Sequence, residues 1–113
     1  MFDFQRWRLW LKAKAADLEA EGLEVRFAAT PDDKPKPAMI LEVLGQQAYG
    51  GFENWITGET DYTILVRPPR EAHMLSHEWG LLATDETFEA IFTIFITKFR
   101  QFELSDKALT VGQ

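Results

Sequence analysis

The chain has no cysteine, so neither a disulfide framework nor thiolate chemistry is open to it. That composition fits a reducing compartment. Long apolar runs are missing as well. A bilayer needs roughly 20 consecutive apolar residues, and the nearest stretch, Phe88 to Phe99, is interrupted by Glu89 and Lys98. Residues 1–21 mix charges throughout and lack the apolar core and small-residue cleavage site of a signal peptide. The expectation is a cytoplasmic protein with no membrane partner. Basic charge is in short supply: 12 Lys plus Arg face 18 Asp plus Glu, a formal charge of -6. The basic residues, Arg6, Arg8, Lys12, Lys14, Arg67, Arg70, Lys98 and Arg100 among them, scatter without the patch that nucleic-acid binding requires. Gly45, Gly50 and Gly51 sit in neither a G-x-G-x-x-G nor a P-loop pattern, so nucleotide binding has no motif behind it. No internal repeat or low-complexity segment is seen.

What the chain does have is apolar and aromatic material. Its 113 residues suffice for one ordinary domain, and hydrophobic residues make up 46 %, with 9 Phe and 4 Trp. This supply argues against intrinsic disorder. Phe4, Trp7, Leu11, Ala15 and Leu18 recur at helical spacing, with Trp10 at the stripe's edge. The spacing predicts a helix from Asp3, its N-cap, to Glu21, stopped by Gly22. Phe2 and Leu9 would then lie on the opposite face as a hint of a contact surface. Alternation at Leu23, Val25 and Phe27 predicts a first strand, the proline-rich residues 29–37 a loop, and Met39 to Leu44 a second strand. A hairpin turning at Thr57-Gly58-Glu59 supplies strands three and four, the first carrying Phe52, Trp55 and Ile56 and the second Tyr62, Ile64, Leu65 and Val66. Gly50-Gly51 implies a bulge or a close backbone approach. Arg67-Pro68-Pro69-Arg70 breaks the sheet pattern, Ala72 to Leu82 reads as a fifth strand, and Thr84 should cap a last helix with Asp85 and Glu86 in its first turn. Phe88, Ile91, Phe92, Phe95, Phe99 and Phe102 form that helix's apolar stripe, widened by Ile96.

The fold class that follows is α+β: an N-terminal helix, a five-stranded antiparallel meander sheet and a C-terminal helix, both helices packed on one sheet face. Residues 1–104 form the domain and residues 105–113 a frayed tail. The other sheet face is left open.

Catalytic chemistry is hard to assemble from these residues. His73 and His77 are four apart with Glu78 alongside, but Met74 stands where a zincin has its glutamate, and there is no third histidine. They suit one face of a strand with Leu75 and Trp79. Ser76 has no nucleophile elbow around it, and Glu59 with Asp61 reads as a solvated strand face. No catalytic, cofactor-binding or metal-binding residue is assigned, and the chain is not expected to be an enzyme. Trp55 and Trp79 suit either a core, where tryptophan is commoner, or a binding anchor.

The run Trp55-Ile56-Thr57-Gly58-Glu59-Thr60-Asp61-Tyr62 adds a resemblance. With an aromatic-rich opening helix at Phe4 and Trp7, a short strand, charged loop and strand before it, and the strand bearing His77-Glu78-Trp79 before a final helix, the chain resembles TriTu-type immunity proteins of bacterial polymorphic toxin systems. The likeness covers nearly the whole chain in order; the Arg67-Pro68-Pro69-Arg70 connection departs from it. The resemblance implies an antitoxin for the C-terminal domain of an Rhs effector delivered by type VI secretion. That toxin would be an ADP-ribosyltransferase modifying elongation factor Tu, held off by stoichiometric occlusion of its active or target site. The implied partner is this protein domain, with no cofactor of the chain's own and no nucleic acid, the chain itself being a monomer or weak homodimer. Glu53, Trp55, Glu59, Asp61 and His77, on the open face, are the candidate contact residues. If Trp55 pointed inward, Asn54 and Tyr62 would take its place, because strand faces alternate. Two other readings stand beside this one: a chaperone or adaptor for a secreted effector, and a small ligand- or metal-binding domain using His73, His77 or the acidic hairpin.

Overall fold

The computed structural model describes residues 2–30, 35–67 and 74–104. Helix α1 (Phe4–Ala20) starts where Asp3 accepts a hydrogen bond from the Arg6 N–H at 3.1 Å, satisfying one of the donors a helix start leaves open. Phe4, Trp7, Leu11, Ala15 and Leu18 are buried, the stripe read from their spacing. Five strands follow: β1 (Glu24–Ala29), β2 (Ala38–Leu44), β3 (Ala48–Trp55), β4 (Glu59–Val66) and β5 (Met74–Leu82). They lie in the order β1-β2-β3-β4-β5, each antiparallel to its neighbour. Helix α2 (Phe88–Glu103) completes the chain.

Alternation along the strands sends Met39, Leu41 and Val43 of β2, Ala48 and Phe52 of β3, and Tyr62, Ile64 and Val66 of β4 to one face. Both helices cover that face. Helix α1 lies mainly over β1, and α2 mainly over β3. The core centres on Phe88, whose ring meets those of Phe2, Trp7, Trp10 and Phe52 at 4.8 to 5.8 Å. Each such side chain contributes roughly 1.5–3 kcal/mol by leaving water, and aromatic pairs about 0.5–1.5 kcal/mol more.

Several local expectations are corrected. Phe2 does not face solvent with Leu9: it precedes the cap, outside the helical stripe, and its ring packs on Phe88 at 5.6 Å. Leu9 is exposed. Thr84 does not cap α2. The cap position is Thr87, and the Thr84 carbonyl accepts from the Thr87 and Phe88 N–H groups in a preceding turn. The cause is Asp85, which is drawn to α1. Its Oδ1 accepts the Asp3 N–H at 2.8 Å and the Trp7 indole N–H at 2.9 Å. These bonds, the backbone one first, hold the Asp85 carboxyl below its ordinary range. Strand β1 runs two residues beyond Phe27, to Ala29.

Gly50 and Gly51 stand in unbroken register, opposite Val43 and Glu42 on one side and Ile64 and Thr63 on the other. Close approach explains them, not a bulge. The irregularities lie instead between β4 and β5, at Thr60/Tyr62 and Ile64/Leu65. Ala72 and His73, Pro68-Pro69-Arg70 and residues 105–113 lie outside the described residues.

Candidate functional site: the open sheet face

Among the described residues no element packs over the second face of the sheet. Antiparallel register lines its side chains into cross-strand rows. One row carries Arg26, Glu42, Gly51, Thr63 and His77, and the next Ala28, Ile40, Glu53 and Asp61. A third carries Glu24, Leu44, Tyr49, Leu65 and Met74. Trp55 and Glu59 close the lower end of this face at the β3–β4 turn.

Glu53, Trp55, Glu59, Asp61 and His77 therefore all project from one surface. Their partners differ. Glu59 takes the Lys36 Nζ at 3.0 Å, and the same ammonium lies 5.5 Å from the centre of the Trp55 ring. Asp61 accepts the Gly80 N–H at 2.7 Å. That contact pins a bulge: Tyr62 pairs with Glu78 and Thr60 with Leu81, so Asp61 faces the two residues Trp79 and Gly80. Gly80 has φ +72, a conformation that glycine takes without strain. Trp79, two residues on from His77, keeps to the open face, where its ring lies 4.6 Å from that of His77 and is 63 % exposed, and the extra residue after it turns Leu81 inward against the core. The Glu53 carboxylate has no hydrogen bond or ion pair with any described residue.

Neither Trp55 nor Trp79 lies in the core, where tryptophan is commoner. Trp55 is half-buried on the open face and Trp79 exposed. Asn54 and Tyr62 point into the core, at 0 % and 2 % exposure. Leu75 does not share a face with His77 and Trp79; the irregularity between Ile64 and Leu65 turns it toward the core cluster.

The sequence reading missed Tyr49, Ile40 and Glu42 on this surface. Tyr49 lies over Gly51 and donates from its hydroxyl to Glu42 Oε2 at 2.6 Å. Burial first, then this bond and the charges of Glu42 and Glu53, push the Tyr49 hydroxyl well above the usual phenol range. Stepping back by twos from Trp55 along β3 would have reached Gly51 and Tyr49. Ile40 and Glu42 needed the register. Ile40, Tyr49, Gly51, Glu53, Asp61, Thr63 and Trp79 together line a depression of about 160 Å³.

Two other grooves flank α2. One, of about 310 Å³, separates it from α1 and is bounded by the Arg100–Glu21 ion pair at 2.8 Å. The second, about 330 Å³, lies against β5, where Lys98 Nζ donates to the Tyr62 hydroxyl at 3.0 Å. Among the described residues no three His, Asp or Glu side chains converge as a cation site, and no described helix is long and apolar enough to cross a membrane.

Fold and surface together define an α+β domain with its helices on one side and an acidic, aromatic sheet face on the other. No protein-family model, curated protein or solved structure matches the chain.

Proposed function

We propose that this protein is an immunity protein, which neutralises a cognate antibacterial toxin domain by stoichiometric binding through its open sheet face. The observation that carries the reading is the collection of Glu53, Trp55, Glu59, Asp61 and His77 on one uncovered surface, joined there by Tyr49 and Trp79. A folded domain gains nothing internally by leaving two tryptophans outside its core, whereas tryptophan and tyrosine are preferred anchors of protein interfaces. Five strands about 4.8 Å apart, each presenting about seven residues at ~3.3 Å, make a patch of roughly 24 by 23 Å. With side-chain relief such a patch approaches the ~800 Å² that a standard interface buries on each partner. The excess of carboxylates suits a basic toxin surface and speeds encounter with it.

On this reading the toxin is an ADP-ribosyltransferase effector domain, as the family resemblance implies, and the immunity protein occludes its active or target site in the cytoplasm of the producing cell. The chain acts as a monomer or weak homodimer and turns nothing over. The test is co-expression with the toxin domain encoded beside its gene. Restored growth, co-purification at one-to-one stoichiometry and loss of transferase activity are expected. A toxin that kills regardless and does not co-purify refutes the proposal. Co-purification with full transferase activity would instead identify an adaptor for the effector.

A further inference from the structure

We propose that the depression at the centre of the open face seats an arginine side chain projecting from a basic loop of the protein partner. This rests on the binding reading above and specifies its chemistry. Charge complementarity is the first ground. The face presents Glu24, Glu42, Glu53, Glu59 and Asp61 among the described residues; Arg26 lies 3.7 Å from Glu24, and Lys36 is taken by Glu59. Among the described residues no cation pairs with Glu53 or Asp61 at the centre.

Register supplies the second ground. Glu53 and Asp61 stand directly opposite each other on β3 and β4. Like charges in that relation weaken a sheet. Among the described residues the Asp61 carboxylate has only the neutral Gly80 N–H, and the Glu53 carboxylate has no hydrogen bond or ion pair. A cation between them would turn this repulsion into two charge-assisted hydrogen bonds.

The walls provide the third ground and favour arginine over lysine. Trp79 and Tyr49 border the same depression, and Gly51 leaves its floor without a side chain. A planar guanidinium stacks on aromatic faces while its fork of N–H groups reaches both carboxylates; an ammonium does the second less well and the first hardly at all. The Thr63 side chain also lines the depression and carries a hydroxyl that can accept a further N–H.

The experiment is an NMR titration of the intact protein with butylguanidinium, butylammonium and the neutral isostere butylurea. Butylguanidinium should shift the Trp79 indole N–H and the Gly51 and Thr63 amides, saturably, and more tightly than butylammonium. Butylurea should shift none of them. Glu53→Gln should weaken butylguanidinium roughly tenfold, the factor that one charge-assisted hydrogen bond commands. Trp79→Leu, at an exposed position, should remove the preference over butylammonium. Equal shifts with butylurea, shifts confined to other surfaces, or an unchanged affinity in Glu53→Gln would overturn the assignment. Calcium ions that displaced the probe and bound more tightly would replace it with a metal site. A toxin neutralised equally well by Glu53→Gln removes the arginine seat and leaves the immunity reading intact. Probe binding without toxin neutralisation does the reverse.

Discussion

Gly50 and Gly51 are neighbours that face opposite ways, and alanine should affect them differently. A Cβ at Gly50 would stand 3.0 Å from both Phe95 Cζ and Phe99 Cδ1. Both rings are fully buried against the sheet, so neither can yield without displacing α2. Overpacking of this kind costs about 1–3 kcal/mol. Alanine's lower unfolded-state entropy offsets roughly 0.4–1 kcal/mol of it. Gly50→Ala should therefore lose about 1–2 kcal/mol, which at a urea slope of roughly 1.5–2 kcal/mol per molar moves the midpoint down by about 0.5–1 M.

A Cβ at Gly51 would meet the Tyr49 hydroxyl at 3.2 Å. That atom ends a side chain on the uncovered face and can swing aside, forfeiting its bond to Glu42. Losing that bond costs about 0.5–1.5 kcal/mol, and the entropy gain cancels most of it. The midpoint should stay near that of the wild type, while the Tyr49 hydroxyl falls back toward the ordinary phenol range. Urea unfolding followed by tryptophan fluorescence reads the first quantity, and absorbance of tyrosinate against pH the second. Gly50→Ala paired with Phe99→Leu should recover part of the loss if the clash is its cause. Equal midpoints for the two single variants, or a larger loss at Gly51, would refute the reasoning that assigns one glycine to the core and the other to the open face.

Phe88→Ala empties the meeting point of four aromatic rings and should cost about 3–5 kcal/mol, the range for large core aromatics; thermal denaturation checks it. The Glu103 carboxylate accepts the N–H groups of Gln46, Gln47 and Ala48, tying the end of α2 to the β2–β3 turn. Glu103→Ala should lose about 1–3 kcal/mol and speed hydrogen exchange at those three amides more than elsewhere. Asp85 fixes the sign of a pH dependence. Its folded pKa lies below the ordinary carboxylate value, so the unfolded chain binds the proton more readily. The stability it confers is complete above the unfolded pKa, near pH 4, and is lost as the pH falls through the folded one. Asp85→Asn should flatten the acid limb of stability, measured as urea midpoints at pH 7 and pH 3.

The helices and the meander were legible because their apolar periods are long and unambiguous: five residues spaced along α1 and six along α2 mark one face each. The start of α2 was not legible for a physical reason. Thr84 followed by two acids has the composition of a helix cap, but Asp85 gains more from the Asp3 N–H and the Trp7 indole, 82 and 78 residues away in sequence. No local pattern encodes such a partner. Similarly, Gly50-Gly51 announced something unusual without saying which face each served; only the arrival of Phe95 and Phe99 on one side and Tyr49 on the other decides it.

The open face shows the same division between alternation and register. In β2, β3 and β4 strict alternation fixes the core set and the outward set at once: burying Phe52 exposes Glu53, and burying Tyr62 exposes Asp61. Slipping the pairing by one residue would carry carboxylates into the core, so the register is strongly specified and the outward rows come with it. Strand β5 escapes this logic. Its two irregularities against β4 each reset the alternation, turning Leu75 and Leu81 inward. Trp79, which walls the central depression, keeps the period that sets His77 outward, and the bulge that follows it is held by Asp61 on Gly80. Bulges re-aim side chains at the edges of sheets, and here the re-aimed side chain is Leu81, which packs against the core while Trp79 stays outward.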